Sequence, residues 1–247
     1  VEAILLLLAL LADLWMTFAG FTYGFKFIRR YKNYLLGLEW IVIGTSGLNV
    51  LVWILLGNDK HSIQVPLVYF FDAFSRSFGL TLILVLGLMQ VTHRYKPPVA
   101  VEIGAFALAI GAGVYLQQFR FPEFYMGPAT FYLITNALTT VFLIYFSWRL
   151  WQIGAKGLAI GAGLTTAAGT AVALMDDFFR FPGDDELRTK FYIFALAVWG
   201  FQLYAYYISY QKLHAHREET GSQPASEHGV VRAVASSRGQ ERIVKEN

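Results

Sequence analysis

No cysteine occurs in the chain, which excludes disulfide cross-links, thiolate metal sites and thiol nucleophiles. Charge is nearly as scarce. Asp, Glu, Lys and Arg make up 15% of the 247 residues, where a water-soluble domain carries about a quarter. That deficit excludes a disordered chain and a nucleic-acid-binding domain, both of which need dense charge. The formal net charge of +3 and the pI near 9.0 reflect a one-sided distribution of Lys and Arg rather than a basic patch.

Several motifs are missing as well. Neither His-Glu-x-x-His nor Gly-x-Ser-x-Gly nor a Walker sequence is present, so hydrolytic and nucleotide chemistry have no motif behind them. Between Phe191 and Tyr210 there is no lysine, and a retinal Schiff base in the last span is thereby excluded. Pro-Gln, the mark of one class of seven-span sugar and cystine carriers, does not occur. His61, His93, His214, His216 and His228 lie in loops, at a helix end or in the tail, so a haem held by two histidines is not supported. The sequence therefore assigns no catalytic residue, no cofactor and no metal, and the chain is read as not an enzyme.

What is abundant is apolar: 56% hydrophobic residues, 17% aromatic residues and a mean hydropathy of +0.47. A membrane-spanning helix needs about 20 mainly apolar residues. Seven windows of that kind run near 3–27, 34–57, 64–91, 97–117, 128–150, 156–176 and 190–210. The expected fold is all-α, a polytopic integral membrane protein of seven transmembrane helices. Ile4 to Leu11 has the apolar character of a signal-peptide centre, but no basic residue precedes it and no small-x-small site follows, so it is read as part of the first span. Residues 1–212 form the membrane domain. From 213 to 247 the composition turns to Glu, Ser, Gln, Gly, His and Arg, which predicts a disordered cytoplasmic tail.

The distribution of Lys and Arg sets the direction. Fourteen lie after spans one, three, five and seven, among them Lys26, Arg29, Arg94, Arg149 and Lys212; five lie on the other side, at Lys60, Arg120, Arg180, Arg188 and Lys190. The amino terminus is expected outside and the carboxyl terminus in the cytoplasm, in a plasma or bacterial inner membrane.

Phe119-Arg120-Phe121-Pro122 recurs as Phe179-Arg180-Phe181-Pro182, and Phe131-Tyr132 recurs as Phe191-Tyr192. This 60-residue step lays spans four and five over six and seven, and spans two and three over four and five, which reads as parallel helical-hairpin repeats. Aromatic and proline residues also mark any membrane interface, and the motif admits that simpler reading.

Ionisable groups at membrane depth are costly and point to function. Asp13, Asp72 and Arg76 fall inside spans, and Asp72 and Arg76, four apart, share a helix face. Asp13, Thr17, Gly20 and Gly24 form a polar or small stripe expected to face that pair, with Asn136 and Thr139 of span five at similar depth. Together Asp13, Asp72, Arg76 and Asn136 form the candidate substrate or ion site, with Arg76 taking an anion and an Asp carrying a proton. Thr17, Glu39, Glu102 and Thr139 are secondary polar positions. Glu39 and Glu102, close to the cytoplasmic interface, are expected to snorkel or to meet Lys26. The alternative is a neutralised pair that only locks helices together.

Ala105, Ala109 and Gly113 in span four, and Gly157, Gly161, Thr165 and Gly169 in span six, are spaced for close helix approach. Asp176, Asp177, Asp184, Asp185 and Glu186 sit in one loop with Arg180, Arg188 and Lys190, without the spacing of a calcium-binding loop. Local salt bridges are the expectation there.

The resulting expectation is a small transporter or permease whose partners are the lipid bilayer and an unidentified small solute or ion. The alternative is a noncatalytic subunit or receptor-like scaffold that binds a membrane partner or a second copy. Because the chain has no native thiol, the orientation is directly testable. His61→Cys should react with a membrane-impermeant maleimide in intact cells, and Lys96→Cys only after lysis; the opposite pattern inverts the topology.

Overall fold

The computed structural model describes residues 3–57, 59, 61–119, 124–179, 183–185 and 188–220. They form seven helices long and apolar enough to cross a membrane: α1 (Ala3–Tyr31), α2 (Tyr34–Leu55), α3 (Gln64–Thr92), α4 (Val99–Leu116), α5 (Met126–Gln152), α6 (Lys156–Phe178) and α7 (Thr189–Thr220). No strand occurs among the described residues. The Arg-Phe-Pro part of both loop motifs and most of the polar tail, residues 221–247, lie outside them.

Local chemistry sets the helix ends. α1 finishes in a π-helical turn over Phe27–Tyr31 and stops at Lys32, whose φ of 51° is left-handed. Asn33 then caps α2, its side-chain oxygen accepting from the Leu36 N–H at 3.1 Å. Pro98 precedes the first turn of α4, where a missing N–H costs nothing. Gly154, at φ +78°, turns the chain between α5 and α6. α7 continues well beyond the apolar window that ends at 210, because its buried face continues: Tyr206, Tyr210 and Leu213 are all within the core, and Arg217 donates to the Gln90 carbonyl of α3.

The helices close into a ring in the order α1, α2, α3, α5, α6, α7, and α4 packs on α3. α1 lies along both α2 and α7, while α3 touches α2, α4, α5 and, through its last turns, α7. The largest core cluster draws on α1, α2, α3, α5, α6 and α7, and its aromatic centre lies where α1, α2 and α7 meet. There Phe27 packs edge-on against Trp40, Tyr207 and Tyr210, with ring centroids 5.0–5.4 Å apart. Trp40 Nε1 donates to the Leu203 carbonyl at 3.2 Å, which joins α2 to α7. Asn33 Nδ2 donates to the Gly87 carbonyl at 2.9 Å and to Tyr210 at 3.3 Å, tying α3 and α7 to the start of α2.

Close backbone approach occurs chiefly at the α1–α2 contact. A Cβ on Gly20 would lie 2.7 Å from the Gly44 nitrogen and the Trp40 carbonyl oxygen, and one on Gly24 would lie 2.8 Å from the Gly37 carbonyl oxygen. The Asp13, Thr17, Gly20, Gly24 stripe thus faces α2 and not the Asp72–Arg76 pair. In span four the expected small face does pack, with Ala105, Ala109 and Gly113 against α3. In span six the packed face is rotated to Ala159, Ala162, Thr166, Gly169 and Val172, and Gly157 and Gly161 have open space above them. Small residues occur on several sides of α6, so spacing alone did not select the packed one.

Gly20→Val should therefore destabilise the purified protein by about 2 kcal/mol, the usual cost of overpacking. Gly161→Ala should be neutral or stabilising by up to about 1 kcal/mol, through helix propensity. Thermal unfolding in detergent measures both, and equal effects would contradict the packing described.

Candidate functional site

In the middle of α3 a π-helical run replaces α geometry from Ser75 to Ile83. Such turns are rare and gather at functional positions. This one carries Arg76 on one side and Gly79 on another.

Arg76 is surrounded by acid. Its Nη1 lies 3.4 Å from Asp72 Oδ2, one turn back on the same helix, and 3.0 Å from Asp176 Oδ2 of α6. Its Nη2 donates to Asp177 Oδ2, also of α6. The guanidinium carbon sits 4.2 Å from the ring centroid of Tyr132 on α5, a cation–π contact. Asp176 is shared, since its Oδ1 accepts from Arg188 Nη1 at 2.8 Å. Arg188 in turn donates to the Met175 carbonyl at 3.3 Å and lies 4.1 Å over the Phe191 ring. One ion network therefore spans α3, α5, α6 and the start of α7.

Burial grades the members. The Arg76 and Asp177 side chains are each 17% exposed and Asp176 10%, against 41% for Asp72. An ion buried this far is tolerated only when its partners replace the lost water. Three carboxylates meet two guanidinium groups, so the network has one negative charge in excess when all are ionised. An anion at Arg76 would have to displace Asp176 or Asp177 from it. The excess charge suits a proton or a cation.

The other expected residues are placed elsewhere. Asp13 and Thr17 converge on Gly47 of α2: a Cβ there would be 2.6 Å from Asp13 Oδ1 and would also collide with Thr17 Oγ1. Asp13 is buried, and neither its oxygens nor Thr17 Oγ1 has a hydrogen-bond partner. Asn136 lies one turn from Thr140, which meets Thr170 of α6 at 2.9 Å, so Asn136 belongs to an α5–α6 polar contact. Thr139 is buried and donates to its own helix at the Thr135 carbonyl. Glu102 sits in the first turn of α4 with Oε1 unpartnered. Glu39 does not snorkel. It is fully buried, both its oxygens lack partners, and it abuts Gly79, where a Cβ would be 2.5–2.9 Å from the three carboxylate atoms. Lys26, its expected partner, instead lies 5.0 Å from the Tyr23 ring centroid.

Asp176, Asp177, Arg188 and Tyr132 were not among the expected site residues. Asp176 and Asp177 read in sequence as loop acids; they occupy the last turn of α6, facing the bundle. Asp184 and Asp185 serve α7, while Glu186 lies outside the described residues. Asp184 accepts from the Lys190 and Phe191 N–H groups, both at 2.9 Å, and Asp185 from the Thr189 N–H at 2.9 Å, which is N-terminal capping. No group of three or more metal-ligating side chains occurs among the described residues.

No family model matches the chain, and no curated protein or solved structure matches it either.

Removing Arg76 would leave three acids facing one another. Arg76→Ala should cost about 3 to 5 kcal/mol, as breaking a buried ion pair does, and Asp177→Asn should weaken the protein more than Asp72→Asn. Adding Asp177→Asn to Arg76→Ala should restore part of the loss. Chemical or thermal unfolding of the four variants reads this directly, and additive losses would show that the groups are not coupled.

Proposed function

We propose that the chain is a small multi-pass transporter of the plasma or bacterial inner membrane, with its amino terminus outside. Its polar centre handles a cationic solute or a proton. The observation that carries this reading is the acid-rich network around Arg76. Charge placed inside helices of this apolarity is expensive and in membrane proteins marks ion and proton pathways. The π-helical run in α3 lies at the same position and supplies a segment able to change its hydrogen bonding. Parallel hairpin repeats, inferred from the recurring loop motif, fit a transporter architecture in which the site sits between duplicated halves.

A second reading, a noncatalytic subunit or receptor-like scaffold, draws on a different observation. Gly104 and Gly111 of α4 and Gly157, Gly161 and Gly163 of α6 have open space where a side chain would stand. Small-residue faces of this kind admit the backbone of a neighbouring helix, from a second copy or another protein.

Proteoliposomes with a trapped pH-sensitive dye distinguish the two. Under the transport reading, at least one of three solute pools (amino acids, polyamines or quaternary amines) evokes a proton flux absent from protein-free vesicles, and Asp177→Asn reduces it. If no pool evokes flux, and native mass spectrometry of the protein from its own membrane finds a stoichiometric partner chain, the scaffold reading replaces it.

A further inference from the structure

The carboxyl of Glu39 has no part in the Arg76 network, yet it is the most completely enclosed acid in the described part of the chain. Its exposure is 0%. It lies on the packed face of α2, between Leu35 and Leu36 on one side and Ile43 on the other, all buried. Ahead of it is the π-helical run of α3, at Gly79, the one residue type that leaves room for the carboxyl.

No donor reaches it. The buried hydroxyls nearest Gly79 along α3, Ser77 and Thr81, donate to backbone carbonyls of their own helix, at Phe74 and Ser77. None of the ionisable groups on the elements packed against α2 hydrogen-bonds to the Glu39 carboxyl. From α1, Asp13 points at Gly47 and Lys26 lies over tyrosine rings. From α3, Asp72 and Arg76 pair with each other and with α6, and His93 lies against Tyr145. From α7, Tyr206 meets Thr166 and Gln202, and Tyr210 meets Asn33 and Gln90. A carboxylate ion in such a place costs far more than its neutral acid.

We infer that Glu39 is a proton-binding site of the bundle, its buried and unpartnered carboxyl packed on Gly79 of the π-helical run Ser75–Ile83 and open to proton exchange. The inference deepens the transporter reading and rests on it for its purpose. Its readout is the protonation of one side chain, so it stands or falls separately from any solute flux.

The full-length protein in detergent or lipid is probed in two ways. Dicyclohexylcarbodiimide adds across a protonated carboxyl: the acid proton passes to a carbodiimide nitrogen and the carboxyl oxygen bonds to its central carbon, with no co-reactant. Peptide mass mapping of the unaltered protein should place the adduct on Glu39 at neutral pH. Labelling should fall about tenfold per pH unit once the acid ionises in alkaline buffer. Infrared spectroscopy should show a protonated-carboxyl C=O band that shifts in D2O and is lost in Glu39→Gln but kept in Asp13→Asn. Absence of both adduct and band would mean that Glu39 is ionised, and a band that never shifts in D2O would mean a proton locked in place; either result overturns the inference. The labelling arm needs no variant, so a Glu39→Gln protein that fails to fold does not remove the test.

Discussion

A guanidinium held among carboxylates governs how the two sides of this bundle meet. Arg76 stands on α3, Asp176 and Asp177 on α6, and α5 runs between those helices while offering the ring of Tyr132. The ion contact therefore reaches across the ring rather than along a neighbouring pair. Desolvated charge makes this contact exacting. Once Arg76 is removed from water, its stability depends on the number and distance of its counter-charges, and the last turn of α6 must present both acids inward. The start of α7 follows from the same requirement, because Arg188 completes Asp176 while Asp184 and Asp185 take up the free N–H groups of α7.

The opposite end of the ring is held by different means. There Asn33 joins α2, α3 and α7 through neutral hydrogen bonds, and Phe27, Trp40, Tyr207 and Tyr210 fill the space with edge-on rings. Between α1 and α2 glycine lets backbones touch. Neutral packing dominates one part, where α1, α2 and α7 meet, and ionic contact dominates the other, between α3 and α6. Glu39 lies where these two parts join, on α2 but facing α3. Its carboxyl abuts Gly79 of α3, so a charge there would be desolvated against that helix.

Much of this was legible in the chain. Hydropathy and helix length identify seven segments, and α3 spans 64–92 almost as the apolar window suggests. The four-residue spacing of Asp72 and Arg76 is enough to pair them, since residues so spaced share a face of any α-helix. The burial of Glu39 follows from the same periodicity: Leu35, Leu36 and Ile43, at spacings of four, three and four residues, mark the same face as core.

Helical periodicity states which side chains stand together on one helix, and it is silent about which neighbour that face meets. The Asp13, Thr17, Gly20, Gly24 stripe is a genuine contact surface, yet only packing determined that it meets Gly37, Gly44 and Gly47 of α2 instead of Arg76. Likewise, Asp176 and Asp177 resemble loop acids until the length of α6 and its rotation turn them inward. The sequence by itself determined the number of helices, their approximate extents and the intrahelical Asp72–Arg76 pair, because each depends on contacts within about one turn. The ion network, the α1–α2 glycine contact and the isolation of Glu39 were decided by the tertiary structure, because each depends on the relative rotation of helices distant in the chain.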